Sequence, residues 1–274
     1  MNNKMKRIFT VALIIMLASW LITSCKKDKG DPPVLPPQES MVVDFSNFAS
    51  LKKGESEPFE IKGTENSTFE FASMVAGVWK LIINTTLIVP VSAFKASFTQ
   101  TPEYLDDKTW QWSYTTTVAT VVYKARLTGQ IGANEVIWKM YITKEGSGGF
   151  TEFLWLDGTS KTDGTSGQWI LYKSAQDPKA ILQVDWTRTG DKIGKVIYTW
   201  VGTGDPFKTS YLEYGLTSDV LNAYFLVHYY NGAKFSDVEI RWNTTTKNGK
   251  IKSLDYLGNT WYCWDANKIN VTCL

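Results

Sequence analysis

The sequence predicts a mainly β protein: a large antiparallel meander forming an open or half β-barrel, with one or two N-terminal helices packed on its concave face. Three observations carry this. From Thr109 onward apolar residues recur with period two, which marks strands with one buried face. Turn signals separate these runs at intervals of about 8–12 residues, as in sandwiches and barrels. Strong helix signals begin only at Ser67, and no long helix follows residue 100, which argues against parallel βαβ units.

The first 24 residues read as a secretory signal peptide. Lys4, Lys6 and Arg7 precede an apolar run from Ile8 to Ile22, and Thr23-Ser24 lead into Cys25, the three-part layout of such signals. The ending resembles the lipobox of bacterial lipoproteins, in which the signal is cut before the cysteine and the thiol carries diacylglycerol. That resemblance implies lipid attachment at Cys25 and a mature chain held to a membrane by acyl chains. Each buried methylene contributes about 0.8 kcal/mol, so two or three chains make the attachment stable. Lys26 after the cysteine resembles the outer-membrane sorting choice, which places the protein at the outer membrane, facing periplasm or cell surface.

Residues 25–40 are charged and then proline-rich, KKDKGDPPVLPPQES after the cysteine, and predict a disordered tether. Fifteen residues reach roughly 45 Å at the polyproline rise of ~3.1 Å. A single β-rich domain is expected over 41–274. It opens with two short alternations, Val43-Asp44-Phe45 and Phe59-Glu60-Ile61, readable as edge strands or as an arm.

Ser67 and Glu70 have the spacing of a capping box, in which hydroxyl and carboxylate satisfy each other's backbone amides. Glu70, Ser73, Gly77, Lys80 and Asn84 then form a narrow polar stripe on an otherwise apolar segment, predicting a mostly buried helix near 67–84. Lys80 in mid-segment argues against a transmembrane span. Pro90 suits the first turn of a second helix near 90–98, with a strand through Phe94, Ala96 and Phe98 as the alternative.

About ten to twelve strands follow. Trp110, Trp112 and Tyr114 share one face; Trp138, Met140 and Ile142, then Leu182, Val184 and Trp186, then Val196, Tyr198 and Trp200, then Val238, Ile240 and Trp242 do likewise. Such a meander must curl, close or stack to hide its edges, and an apolar helix ahead of it would fill the concave side. Cys263 and Cys273 flank a polar stretch able to reverse the chain, and an oxidising compartment predicts a disulfide between them. A turn centred near Lys268 sets them opposite each other; one on Ala266-Asn267 pairs Cys263 with Asn270 and leaves Cys273 displaced.

Composition excludes some functions. The chain has 29 basic and 27 acidic residues; the signal holds three basic and no acidic ones, leaving 26 against 27 and a net charge of −1. Nucleic-acid binding needs a basic patch, and no run supplies one. His228 is the single histidine among 274 residues, so two- and three-histidine zinc sites are impossible. The loop from Asp157 to Gly167 lacks the acidic spacing of a calcium loop and reads as a long solvated hairpin. There is no Gly-x-Ser-x-Gly elbow. Glu152, Asp157, Asp185 and Glu213 are the carboxylates that a glycosidase-like pair would draw on, but spacing brings no two together. No enzyme activity, cofactor or metal is expected.

The order of elements resembles the half-barrels of periplasmic lipoprotein carriers and, less closely, lipocalins. Trp110-Gln111-Trp112-Ser113-Tyr114, the loop Leu156 to Gly167 and the ending Cys263-Trp264-Asp265 resemble a group of uncharacterised outer-membrane lipoproteins, a likeness that implies no activity. The expectation is a non-enzymatic, lipid-anchored protein binding an apolar or amphipathic ligand in a cavity around its helix, with Trp110 and Trp112 as candidate ligand-binding residues that line either that cleft or the core. The alternatives are a carbohydrate-binding lipoprotein of a glycan-uptake system and a structural or adhesive surface protein. Aromatic parity favours the first, because the strand tryptophans sit with aliphatics and only Tyr141 stands clearly on a charged face.

Overall fold

The computed structural model describes residues 29–48 and 67–273, apart from 191, 205, 206 and 231. Cys25 and the alternation at Phe59 to Ile61 lie outside the described residues. The chain divides into Met1–Asp31 and Pro32–Leu274, and every element below belongs to the second unit. Helix α1 (Thr68–Ser97) precedes fourteen strands: β1 (Glu103–Tyr104), β2 (Thr109–Val118), β3 (Val121–Ile131), β4 (Glu135–Lys144), β5 (Phe150–Lys161), β6 (Ser166–Ser174), β7 (Asp177–Thr189), β8 (Lys192–Trp200), β9 (Tyr211–Leu216), β10 (Ala223–Tyr230), β11 (Phe235–Trp242), β12 (Gly249–Ser253), β13 (Tyr262–Trp264) and β14 (Asn270–Val271). Each strand pairs with the next in sequence, giving one open antiparallel meander with β1 and β14 at its edges. Both edge strands are two residues long, which leaves little ladder for another chain to extend.

The helix forms from the capping box outward. Ser67 Oγ accepts from the Glu70 amide at 3.3 Å, and the Ser67 amide donates to Glu70 Oε2 at 2.9 Å. One or two helices were expected, near 67–84 and 90–98; among the described residues a single α-helix runs through Pro90. The reason is packing. Trp79, Ile83, Leu87, Pro90, Phe94 and Ser97 recur in steps of three and four and are all buried, so the proline lies on the buried stripe itself. Its missing amide costs one hydrogen bond, and breaking the helix there would turn the following apolar turns out of the core. The exposed side also differs from the expected polar stripe: Glu70 and Asn84 face water, Ser73 and Gly77 are buried, and Leu81 and Ile88 are exposed instead. By length and composition α1 could cross a membrane, but here it lies against β2 and β3 at one end of the meander and β12 and β13 at the other. One helix therefore serves both ends of the curled sheet.

The tether expected over 25–40 is shorter than its composition suggests. Pro33 and Pro36 are buried, and the Pro33 ring lies against Gly129 of β3. Ser40 Oγ accepts from the Trp169 indole at 3.1 Å. Met41, Val43 and Phe45 alternate into the core, and Phe48 stacks edge-on against Trp242 at 4.9 Å. Residues 33–48 are thus an arm lining the inner face of the sheet, and the domain boundary moves from 41 to about 33. Proline-rich sequence fits this role because polyproline backbone loses little entropy when it is fixed.

The inner face is a layer of indoles set over glycines. Trp138 stands opposite Gly129 and Gly158 in the strand register, Trp169 opposite Gly158, Trp186 opposite Gly167, and Trp264 opposite Gly249. A β-carbon built on Gly129 would fall 2.6 Å from the Trp138 ring, and one on Gly167 would fall 2.6 Å from Trp186. Each ring occupies the space that its neighbour's missing side chain leaves. At the carboxyl end Cys263 pairs with Val271, so the turn centres on Asn267, between the two expected registers. Cys273, two residues on, still reaches disulfide distance, with Cα atoms 5.3 Å apart.

Tyr198 points into this core fully buried, and its hydroxyl has no partner among the described residues. Burial holds its phenol well above the ordinary range, and does the same for Tyr114, whose hydroxyl donates to the Ala93 carbonyl at 2.6 Å. A raised folded pKa contributes stability that is whole below the unfolded value, about 10, and is lost as pH climbs beyond it, because the unfolded chain ionises first. Alkaline unfolding should therefore set in near pH 10. Tyr198→Phe should leave stability at pH 7 unchanged or higher, since it removes an orphan hydroxyl, and should soften the alkaline loss. Denaturant melts at pH 7 and 11 check this; a loss above ~1 kcal/mol at pH 7, the worth of a typical hydrogen bond, would refute it.

Candidate functional site

The residues expected to line a ligand cavity are differently placed. Trp112 is 3% exposed and lies 5.9 Å from Trp138, so it belongs to the core. Trp110 is partly buried, edge-on to Tyr104 of β1 at 5.3 Å. The space between sheet and helix, where a ligand was expected, is lined by the arm and by α1 itself: Phe94 meets Trp169, Phe71 stacks on Tyr256, and Phe45 meets Phe225.

The four candidate carboxylates each have their own partner. Asp185 accepts from the amides of Gln168 and Gln183, both at 2.7 Å, and Asp157 accepts from Tyr172 at 3.2 Å. Burial raises the pKa of Asp157, against the lowering effect of Tyr172 and Lys139. Glu213 accepts from Tyr224 at 2.7 Å, and Glu152 pairs with Arg126. No two of the four are bonded to each other. The Asp157 to Gly167 motif is a tight hairpin, with β5 running to Lys161 and the Asp163 carboxylate accepting from Thr165. Among the described residues no three His, Cys, Asp or Glu gather as metal ligands.

Chemistry concentrates on the outer face of β9 to β12. Register sets Tyr211, His228 and Asp237 in one row across three strands, and Glu213, Leu226, Glu239 and Lys252 in the next row across four. His228 is sandwiched, its ring 5.4 Å from Tyr211 and 4.6 Å from Phe235 and close to parallel with both. Its Nδ1 meets Asp237 Oδ1 at 2.7 Å. Glu239 is held by Arg241 Nε at 2.7 Å and by Lys252 Nζ at 3.5 Å. Trp261 lies under two ammonium groups, Lys250 at 4.4 Å and Lys252 at 5.0 Å. Tyr211 has its phenol pKa raised by burial and by the negative charges of Asp237 and Glu213. Between these rows runs a groove of about 300 Å³ bordered by Tyr211, Asp237, Glu239, Lys252 and Asn259. Tyr141, the outer aromatic evident from sequence, has its ring covered by the Arg126 guanidinium at 4.1 Å.

Sequence reading missed this face. Tyr211, His228 and Phe235 come from three strands whose adjacency depends on register, and the strand Ala223–Tyr230 is so apolar that neither face stands out. No family model, no curated protein and no solved structure matches the chain.

Proposed function

We propose that this chain is a non-enzymatic, lipid-anchored outer-membrane protein that binds a glycan on the outer face of its open sheet. The single observation supporting the glycan over an apolar ligand is the division of chemistry between the two faces. The inner face is apolar and lined by the chain's own helix and arm, whereas β9 to β12 carry rings beside fixed hydrogen-bonding groups on the outside. Planar rings suit the C–H faces of sugars, and charged side chains make the stronger hydrogen bonds to hydroxyls. The lipobox-like ending at Cys25 supports the anchor.

Two measurements test the reading. Cys25→Ala should abolish incorporation of labelled palmitate and leave the protein unprocessed or mislocalised; a mature amino terminus elsewhere would overturn the anchor. The purified domain should be retarded in native gels containing a neutral polysaccharide.

A second reading, an amphipathic ligand inside the half-barrel, has one observation in its favour. The indole amines of Trp110, Trp186, Trp200 and Trp242 are buried without a partner among the described residues, whereas Trp138 donates to Ser160, Trp169 to Ser40 and Trp264 to the Lys247 carbonyl. Buried donors want acceptors, and a ligand oxygen would serve. Lipid carried through native mass spectrometry, with no gel retardation, would favour it.

A further inference from the structure

We propose that the groove bordered by Tyr211, Asp237, Glu239, Lys252 and Asn259 binds one unit of a neutral glycan; this rests on the glycan-binding reading above and names its site. Size comes first. At about 300 Å³ the groove lies at the low end of ligand sites, which suits a single sugar ring. Its chemistry matches the two surfaces of a pyranose. Tyr211 offers an aromatic wall to the C–H face, while Asp237 and Glu239 accept, and Lys252 donates, hydrogen bonds to ring hydroxyls.

These groups are fixed before any ligand arrives. The Tyr211 ring rests on His228, which rests on Phe235, so its plane is set by a three-ring stack. Asp237 is held by the His228 imidazole and Glu239 by Arg241. Holding the contact groups in place removes much of the ordering cost of binding. Charge then selects. Asp237 and Glu239 are balanced by Lys252 and Arg241, so the groove has no excess positive charge to draw a uronate or sulfated sugar and suits neutral ones.

The test uses native affinity gels cast with xylan, glucomannan, hydroxyethylcellulose or polygalacturonate. The mature wild-type domain should be retarded by at least one of the three neutral polymers. Tyr211→Ala should weaken that retardation about tenfold, the worth of one aromatic contact, and Asp237→Ala should weaken it several-fold. Asp237 has a side chain that is 80% exposed, so this variant should melt like wild type even if Tyr211→Ala does not. Tyr141→Ala, at an outer-face aromatic that does not border the groove, should bind as wild type. Retardation of the wild type that persists undiminished in both groove variants overturns the groove and leaves the glycan reading standing. No retardation of the wild type by any polymer overturns both. Retardation by polygalacturonate alone overturns the neutral assignment.

Discussion

Gly158→Ala should destabilise the domain by about 3 kcal/mol, the upper range for overpacking a filled core. The new methyl would fall 2.7 Å from the Trp169 ring and closer still to the Gln168 carbonyl oxygen. An indole can tilt, but a backbone carbonyl in the β5–β6 ladder cannot move without loosening the pairing. Gly249→Ala should behave alike, since its β-carbon would press on both Trp264 and the Arg241 carbonyl oxygen. Gly190 is the control. It has open space around it and φ +61°, so alanine there meets only the left-handed backbone penalty of about 1 kcal/mol. Denaturant melts compare the three; a Gly158→Ala loss no larger than that of Gly190→Ala would show that the indole layer is not close-packed.

The second large effect concerns the arm. Phe48→Ala should cost about 3–5 kcal/mol, as for other buried phenylalanines, because the ring touches Phe69 of the helix, Phe225 of β10 and Trp242 of β11 at once. Removing residues 33–48 altogether should leave no cooperative unfolding transition, since Met41, Val43, Phe45 and Phe48 would all vanish from one cluster. A true tether could be cut without loss. Calorimetry of a chain beginning at 33 and one beginning at 49 decides the matter: equal melting temperatures would return the arm to the status of a linker.

The strands were readable because period two is a local property. The inward assignments of Trp138, Trp186, Trp242 and their neighbours needed only each strand's own alternation. The arm was not readable, because Pro33 packs against Gly129 of β3 and Pro36 is buried with it, which nothing within residues 25–40 announces. The helix was read in two pieces since Pro90 carries a local stop signal, and only the stripe from Trp79 to Ser97 reveals that packing overrules it. The Cys263–Cys273 pair was legible and its register was not, as a shift of one residue in the turn lies below what composition distinguishes. The outer groove is a register property throughout: Tyr211, Asp237 and Lys252 are separated by up to 41 positions and meet only because three hairpins align.

The connectivity of the sheet also sets an order of events. Every strand finds its partner next door, the kind of local pairing that proceeds quickly. The arm and helix are different: Ser40 waits for Trp169, Phe48 for Trp242, and the Thr68 amide for Asn270, 202 residues away. In a chain made from its amino end, a 30-residue apolar helix therefore exists before most of the surface that will cover it. During that interval it is an aggregation hazard, and a chaperone that shields apolar segments would find its substrate there. The hazard ends only when the final hairpin, β13 to β14, closes over Phe69 and the thiols of Cys263 and Cys273 come within reach.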